Sequence, residues 1–171
     1  YSDSRYERIL LEIVHALIHS GDFLRACQLL KEITSQDAKD EAIKELFFAL
    51  IKAEEHEQAY LLIKEVRDYD LKINLSKKLS FALLYKADFN SALKISEEFG
   101  NYHSRASVLI KAATIFKKTR STKKTKIYFS QARKIAWRIS DYTDRVDTLN
   151  LLGVALSASG LRSESWLVFT E

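Results

Sequence analysis

The chain has 171 residues, of which 47% are hydrophobic, so it is long enough to bury a substantial core as one domain and too apolar to be disordered. Its formal charge is +4, but six positive charges and no negative one fall within residues 117–126, so the excess is local and does not by itself indicate a nucleic-acid-binding protein. The absence of proline favours uninterrupted helices, the single cysteine excludes an intrachain disulfide, and no apolar run is long enough to span a membrane.

Apolar residues recur at three- and four-residue steps from the beginning of the chain, as at Ile9, Ile13 and Leu17. This spacing is typical of amphipathic helices and predicts an all-α fold. The predicted helices, in chain order, cover residues 3–20, 22–34, 38–54, 56–67, 72–86, 89–98, 102–118, 122–139, 143–159 and 161–170. Polar connectors such as Ser35-Gln36-Asp37 and Ser140-Asp141-Tyr142 supply N-cap oxygens for the helices that follow them.

Alanines ten residues apart recur in three segments that are offset by 33 residues. The pairs are Ala16 with Ala26, Ala49 with Ala59, and Ala82 with Ala92. Because a close helix crossing leaves room only for small side chains, these alanines are predicted to mark the crossing points of helix pairs. Ala155 with Ser165 repeats the spacing, and a fourth unit is placed on Ala113 with a longer second half. The predicted units cover residues 3–34, 38–67, 72–98, 102–139 and 143–170.

A turn signal lies between the two small residues of a unit: Ser20-Gly21-Asp22-Phe23 in the first unit, Lys86-Ala87-Asp88-Phe89 in the third and Ser159-Gly160-Leu161 in the last. Glycine there is suited to a left-handed C-cap, and Asp22 to capping the next helix. With the apolar residues around it, this pattern resembles the tetratricopeptide repeat, although the proline that closes each unit in that family is missing. The resemblance implies a right-handed α-solenoid of about five antiparallel helix pairs, a TPR-like superhelix.

The resemblance also implies that the first helix of each pair lines a concave groove that binds a partner. The groove positions carried over are Arg8, Leu11, His15, Lys44, Phe48, Lys52, Asn74, Lys77, Lys78, Phe81, Tyr85 and Arg105. Interleaved aromatic and basic side chains suit a peptide or helix that carries carboxylates. The alternative interpretation is that Phe48 and Phe81 pack between neighbouring helices and the lysines form a solvated face.

The basic segment is a second candidate surface, at the turn of the fourth unit. It consists of Lys117, Lys118, Arg120, Lys123, Lys124 and Lys126. Its charge would attract RNA, an anionic lipid surface or an acidic protein. Tyr128, Phe129 and Trp137 follow closely enough to suggest base stacking, but their helical spacing predicts that they face the core.

Catalytic and metal-binding patterns are weak in this sequence. His15 and His19 stand one helical turn apart, with Glu12 as a third conceivable ligand, but no companion helix offers the rest of a metal site. Cys27 is predicted to be a buried small hydrophobic residue. We therefore expect no enzyme activity, no metal and no cofactor.

The leading hypothesis is a protein-interaction scaffold or adaptor, including a secretion or assembly chaperone, with its partner held in the groove. An RNA- or anionic-surface-binding repeat that uses the basic segment is the first alternative. A self-associating structural module, dimerising through residues 161–170 with Trp166, Leu167 and Phe169, is the second. The lone cysteine favours the cytoplasm. The bounds Tyr1 and Glu171 suggest a piece of a longer chain, from which an N-terminal targeting segment could be missing.

Overall fold

A computed structural model of the protein describes residues 2–161, 164, 165 and 168, and this part of the chain is all-α. The α-helices are α1 (Ser2–Ser20), α2 (Phe23–Leu29), α3 (Gln36–Lys52), α4 (His56–Glu65), α5 (Tyr69–Tyr85), α6 (Phe89–Phe99), α7 (Tyr102–Lys118), α8 (Thr122–Ala136) and α9 (Tyr142–Ala158). A short 3₁₀ turn, Leu30–Glu32, continues α2. The all-α prediction is confirmed for the described residues. The tenth predicted helix, 161–170, lies largely outside them, as do Trp166, Leu167 and Phe169.

The chain divides into two compact units, residues 1–75 and 76–171, with the boundary inside α5. In the first unit α1 packs against α2 and α3, and α3 packs against α4. Its core includes Val14, Leu46, Phe47 and Leu50, all without measurable solvent exposure. The packing of helix pairs is thus established here, whereas a right-handed solenoid of five pairs in one domain stays a prediction.

In the second unit α7 is the central helix and packs against α6, α8 and α9. Its core joins buried residues of α7, α8 and α9 in one cluster: Leu109, Ile110, Ala113, Phe129, Ala132, Ala136, Leu149, Leu152, Ala155 and Leu156. Partly buried Trp137 packs against this cluster. The helical spacing of these residues on three neighbouring helices accounts for a continuous apolar interior.

Five turns between consecutive helices contain one residue in the left-handed conformation. They are Gly21 (φ 80°), Glu54 (φ 63°), Ala87 (φ 63°), Arg120 (φ 58°) and Gly160 (φ 76°). The first four follow one another at 33-residue intervals, and the last interval is 40 residues. The predicted left-handed glycines are confirmed, and the same backbone geometry recurs where the sequence has no glycine to indicate it.

The residue five positions after each left-handed turn residue is small. Ala26, Ala59 and Ala92 have no exposed surface and Thr125 is 1% exposed, while Ser165 donates a hydrogen bond to the Gly153 carbonyl at 3.2 Å. These residues therefore occupy the close approaches between helices, as the repeat predicts for the second half of each unit.

The residue five positions before the turn follows the prediction only in part, at Ala155, which is 9% exposed and belongs to the core of the second unit. Ala16 is exposed, Ala49 and Ala82 are half-buried, and Ile115 stands at this place in the fourth unit. The prediction that the first-helix alanines mark crossing points is thus wrong for Ala16. The placement of the fourth unit on Ala113 is two residues out of register, although its longer second half is confirmed because α8 has 15 residues against 10 in α4.

Side-chain caps fix several helix starts where the sequence places Asp, Ser or Asn. Asp22 accepts a hydrogen bond from the Arg25 amide at 3.3 Å, and Asp88 accepts one from the Ser91 amide at 3.1 Å. Asp141 accepts one from the Asp144 amide at 2.9 Å. Each bond satisfies one of the amides that a helix leaves unpaired in its first turn, which confirms the predicted N-caps at these sites.

One carboxylate joins α1 to the connector that precedes α3. Glu7 Oε1 accepts hydrogen bonds from the Thr34 amide at 2.8 Å, from the Thr34 hydroxyl at 2.9 Å and from the Ser35 amide. These donors, above all the Ser35 amide, stabilise the charged form and hold the pKa of Glu7 below its ordinary value of 4.5. Glu7 carries no local sequence signal for this role, because its partners lie 27 and 28 residues away.

The lowered pKa of Glu7 predicts a pH-dependent contribution to stability. Because the folded state binds this proton less readily than the unfolded state, the stabilisation is fully present above pH 4.5 and is lost as the pH falls through the lowered pKa. Glu7→Gln should therefore lower the thermal midpoint at neutral pH, and its difference from the wild type should shrink as the pH falls through the lowered pKa. Thermal unfolding followed by circular dichroism measures both differences.

Glu12→Gln on the same helix is the control. Glu12 pairs only distantly with Arg8, at 4.0 Å, and both side chains are exposed, so the midpoint should change little at either pH. A Glu7→Gln difference that stayed constant between neutral and acidic pH would contradict the assigned role of the carboxylate.

Candidate partner-binding surfaces

Six of the predicted groove residues lie on two packed helices of the first unit. We call this surface the α1–α3 face; its members are Arg8, Leu11, His15, Lys44, Phe48 and Lys52. On α3, the basic residues Lys44 and Lys52 stand one turn on either side of Phe48 and so share its side of the helix. The structure therefore brings these six residues onto neighbouring helices.

Exposure differs strongly between two adjacent aromatic residues of α3. Phe47 has no exposed surface, whereas 49% of Phe48 is exposed. Their ring centroids are 5.6 Å apart in an edge-to-face arrangement, so Phe48 rests against the core without entering it. Leu11 on α1 is half-buried. Phe48 is thus about half covered by the fold, and its two interpretations, as a groove residue and as a packing residue, both stay predictions.

Glu45 links the two helices of the α1–α3 face and was missed in the sequence. Its carboxylate lies 2.7 Å from Nδ1 of His15 and 3.6 Å from Nδ1 of His19. The His19 ring nitrogen also lies 2.8 Å from the His15 carbonyl oxygen. Within the described residues, no group of three or more His, Cys, Asp or Glu side chains is arranged to hold a metal ion. We assign the histidines to contacts between α1 and α3.

Lys44 is positioned by a neighbouring carboxylate on its own helix. Its Nζ donates a hydrogen bond to Glu41 Oε1 at 2.6 Å. This bond favours the charged ammonium and raises the pKa of Lys44 above its ordinary value of 10.5. The side chain therefore presents a positive charge beside Phe48 at neutral pH.

The remaining predicted groove residues lie on α5 and α7. Asn74, in the first unit, is exposed. In the second unit Lys78 is exposed and Lys77 and Phe81 are half-buried. Tyr85 is 68% exposed, with Lys111 Nζ 4.7 Å from its ring centroid, and half-buried Arg105 lies 3.5 Å from Glu97. Phe81 is thus a weaker candidate contact than Phe48, because more of its surface is already covered.

The six cations of the basic segment are all exposed. Lys117 and Lys118 end α7, where positive charge is favourable, and Arg120 is the left-handed turn residue. Lys126 pairs with Glu164 at 2.9 Å, and Lys124 Nζ lies 4.9 Å from the Phe116 ring centroid. Two of the six cations thus already have a partner in the fold.

The aromatic residues near the basic segment serve the interior, as predicted. Phe129 is 3% exposed. Tyr128 is half-buried and stacks on Phe116 at 5.3 Å between centroids, and Phe116 stacks in turn on Phe89 at 4.2 Å. Rings already engaged in this way do not form an exposed platform for nucleic-acid bases.

A cleft between α2, α3 and α4 was not predicted. It has a volume of about 640 Å³ and is lined by residues of the first unit from Leu24 to Arg67. Cys27 lines it and is half-buried, so the prediction of a fully buried cysteine is wrong. Burial raises the pKa of the Cys27 thiol, with a smaller opposing effect of Lys31. The thiol is thus a poor nucleophile at neutral pH, because the thiolate is the reactive form.

No helix within the described residues is long and apolar enough to cross a bilayer. Comparison with known proteins gave no match to a protein-family model, to a curated protein or to a solved structure.

Proposed function

We propose that the protein is a TPR-like scaffold or adaptor. It binds a peptide or helix of a partner protein in a groove lined by the first helix of each helix pair. The observation that carries this proposal is the exposure of Phe48 between two cations on α3. An aromatic side chain with half of its surface in water can be covered further by a partner, and aromatic anchors supply much of the binding energy at protein interfaces.

The charges around Phe48 favour an acidic or carboxylate-bearing ligand. Lys44 and Lys52 lie one turn before and one turn after Phe48 on α3, and Arg8 lies on α1. Lys44 is half-buried, whereas Lys52 and Arg8 are exposed. Charges at the edge of an interface speed encounter and select partners more than they add affinity. Secretion or assembly chaperones that hold a segment of a client are one form of such a scaffold.

The test uses peptides selected from a display library of random linear sequences against the wild-type protein. For the selected peptides, Phe48→Ala should weaken binding about tenfold or more in isothermal titration calorimetry, as expected for an interface anchor. Val154→Ala removes an apolar side chain that is 69% exposed on α9, and it should leave affinity unchanged. Peptides that bind Phe48→Ala as tightly as the wild type would overturn the assignment of this face.

RNA binding by the basic segment is the alternative with a specific observation in its favour, six exposed cations within ten residues. Affinity for a single-stranded RNA should then fall steeply with salt, because bound cations release counterions from the phosphates. Replacing Lys117, Lys118 and Lys123 by Gln should reduce that salt dependence. Equal salt dependence in the wild type and this variant would exclude the alternative.

A further inference from the structure

The cleft in the first unit combines an apolar lining with basic side chains. Leu30, Ile33, Ile43 and Leu62 line it and are at most 6% exposed, so they belong to the packed body of the unit. Two other lining residues face water extensively, Leu24 at 69% and Leu61 at 55%. An apolar ligand would cover these leucines, and their removal from water would favour its binding.

Positive charge dominates the polar part of the lining. Lys31, Lys39, Lys64 and Arg67 contribute to it, against a single carboxylate, Glu65. Within the described residues, no ion pair holds the side chain of Lys31, Lys39 or Arg67. Lys31, Lys64 and Arg67 are exposed, so their charged groups stay hydrated beside the apolar surface. This arrangement attracts an anion and disfavours a cation.

We propose that this cleft binds a single-chain anionic amphiphile, a molecule with one aliphatic chain and a carboxylate, sulfate or phosphate headgroup. The chain would cover Leu24 and Leu61, and the headgroup would pair with the basic side chains. The volume of about 640 Å³ supports a ligand of this size, because small-molecule sites have volumes of roughly 300–1,000 Å³. The site is distinct from the α1–α3 face, and the proposal does not depend on the proposed function.

Cys27 offers a direct readout of occupancy, because it lines the cleft and is the only cysteine in the sequence. The experiment follows the rate at which a maleimide modifies Cys27, by mass spectrometry, with increasing decanoate below its micelle concentration. A mildly alkaline buffer provides the reactive thiolate, whose formation burial makes less favourable. At a decanoate concentration ten times the dissociation constant, the rate should fall about tenfold, because modification then requires the unoccupied fraction.

Two analogues of decanoate, one neutral and one cationic, test the role of the headgroup. Decan-1-ol has the same chain without charge, and decylammonium has the same chain with the opposite charge. Both should protect Cys27 less than decanoate at equal concentration, decylammonium least. Equal protection by decan-1-ol would overturn the proposal, since it would show an apolar cleft without preference for an anion.

Charge variants locate the binding site. Lys39→Glu with Arg67→Glu should weaken decanoate protection about tenfold or more, because two attractive charges become repulsive. Lys39→Gln with Arg67→Gln removes the two charges without reversing them and should give an intermediate loss of decanoate protection. It keeps the test valid if the Glu variant does not fold. Lys94→Glu with Lys134→Glu reverses two exposed cations of the second unit outside the cleft; it is the matched control and should show the decanoate protection of the wild type. Wild-type protection in the Gln variant, or no protection by decanoate in the wild type, would overturn the proposal.

Discussion

Phe47→Ala is expected to lower the free energy of unfolding by about 3–5 kcal/mol, and Phe48→Ala by only about 1 kcal/mol. The two residues are adjacent on α3, but Phe47 is fully buried and 49% of Phe48 is exposed. Removing the Phe47 ring leaves a cavity in the core of the first unit, which costs both transfer energy and packing contacts. Removing the Phe48 ring costs contacts that include the edge-to-face contact with Phe47, but half of its surface is already in water.

Urea unfolding of the wild type and both variants, followed by circular dichroism, measures these differences. The adjacent position makes each variant the control of the other, because helix propensity and the substitution are the same. A loss of several kcal/mol in Phe48→Ala would show that its ring is part of the core, and the α1–α3 face would then lose its proposed anchor.

Ala26→Leu is expected to destabilise the protein by about 1–3 kcal/mol, whereas Ala16→Leu should be nearly neutral. Ala26 on α2 has no exposed surface, so three additional carbon atoms must displace neighbouring side chains or backbone. Ala16 on α1 is exposed, and leucine there extends into water. Both substitutions replace alanine by leucine, and both lie in the same predicted repeat unit.

Thermal unfolding of the two variants separates the sequence-based interpretation from the structural one. The alanine spacing alone predicts that both positions are intolerant, because it assigns both to helix crossings. The structure assigns only Ala26 to a close approach. Comparable destabilisation by both substitutions would contradict the exposure of Ala16 and restore the simpler repeat rule.

Local chemistry explains why helix positions were predictable from this sequence. Caps such as Asp22 and Asp141 and the left-handed Gly21 act within three or four residues, so their signals can be read without knowledge of packing. At Glu54, Ala87 and Arg120 the left-handed conformation is imposed by the fold on residues that do not favour it. The alanine repeat carries the same 33-residue spacing, but it indicates a turn and not the backbone conformation of the residue within it.

The candidate sites were less predictable because they depend on contacts between distant segments. Glu45 joins His15 across 30 residues, and Glu7 joins Ser35 across 28. The cleft lies where α2, α3 and α4 meet. No local sequence motif indicates that Lys39 and Arg67 both line it. Phe48, in contrast, was a predicted groove residue because of its position in the repeat. The repeat did not predict that its neighbour Phe47 would be fully buried.

The contacts of the first unit lie between helices that are close in sequence: α1 with α2, α3 with α4, and α1 with α3. Closing such short loops costs little chain entropy, and chains with local contacts fold quickly. During synthesis, α1 and α2 can therefore pack once both have left the ribosome, before α3 is complete. In the first unit α3 then meets an apolar surface that is already formed, which shortens the time that its core side chains are exposed.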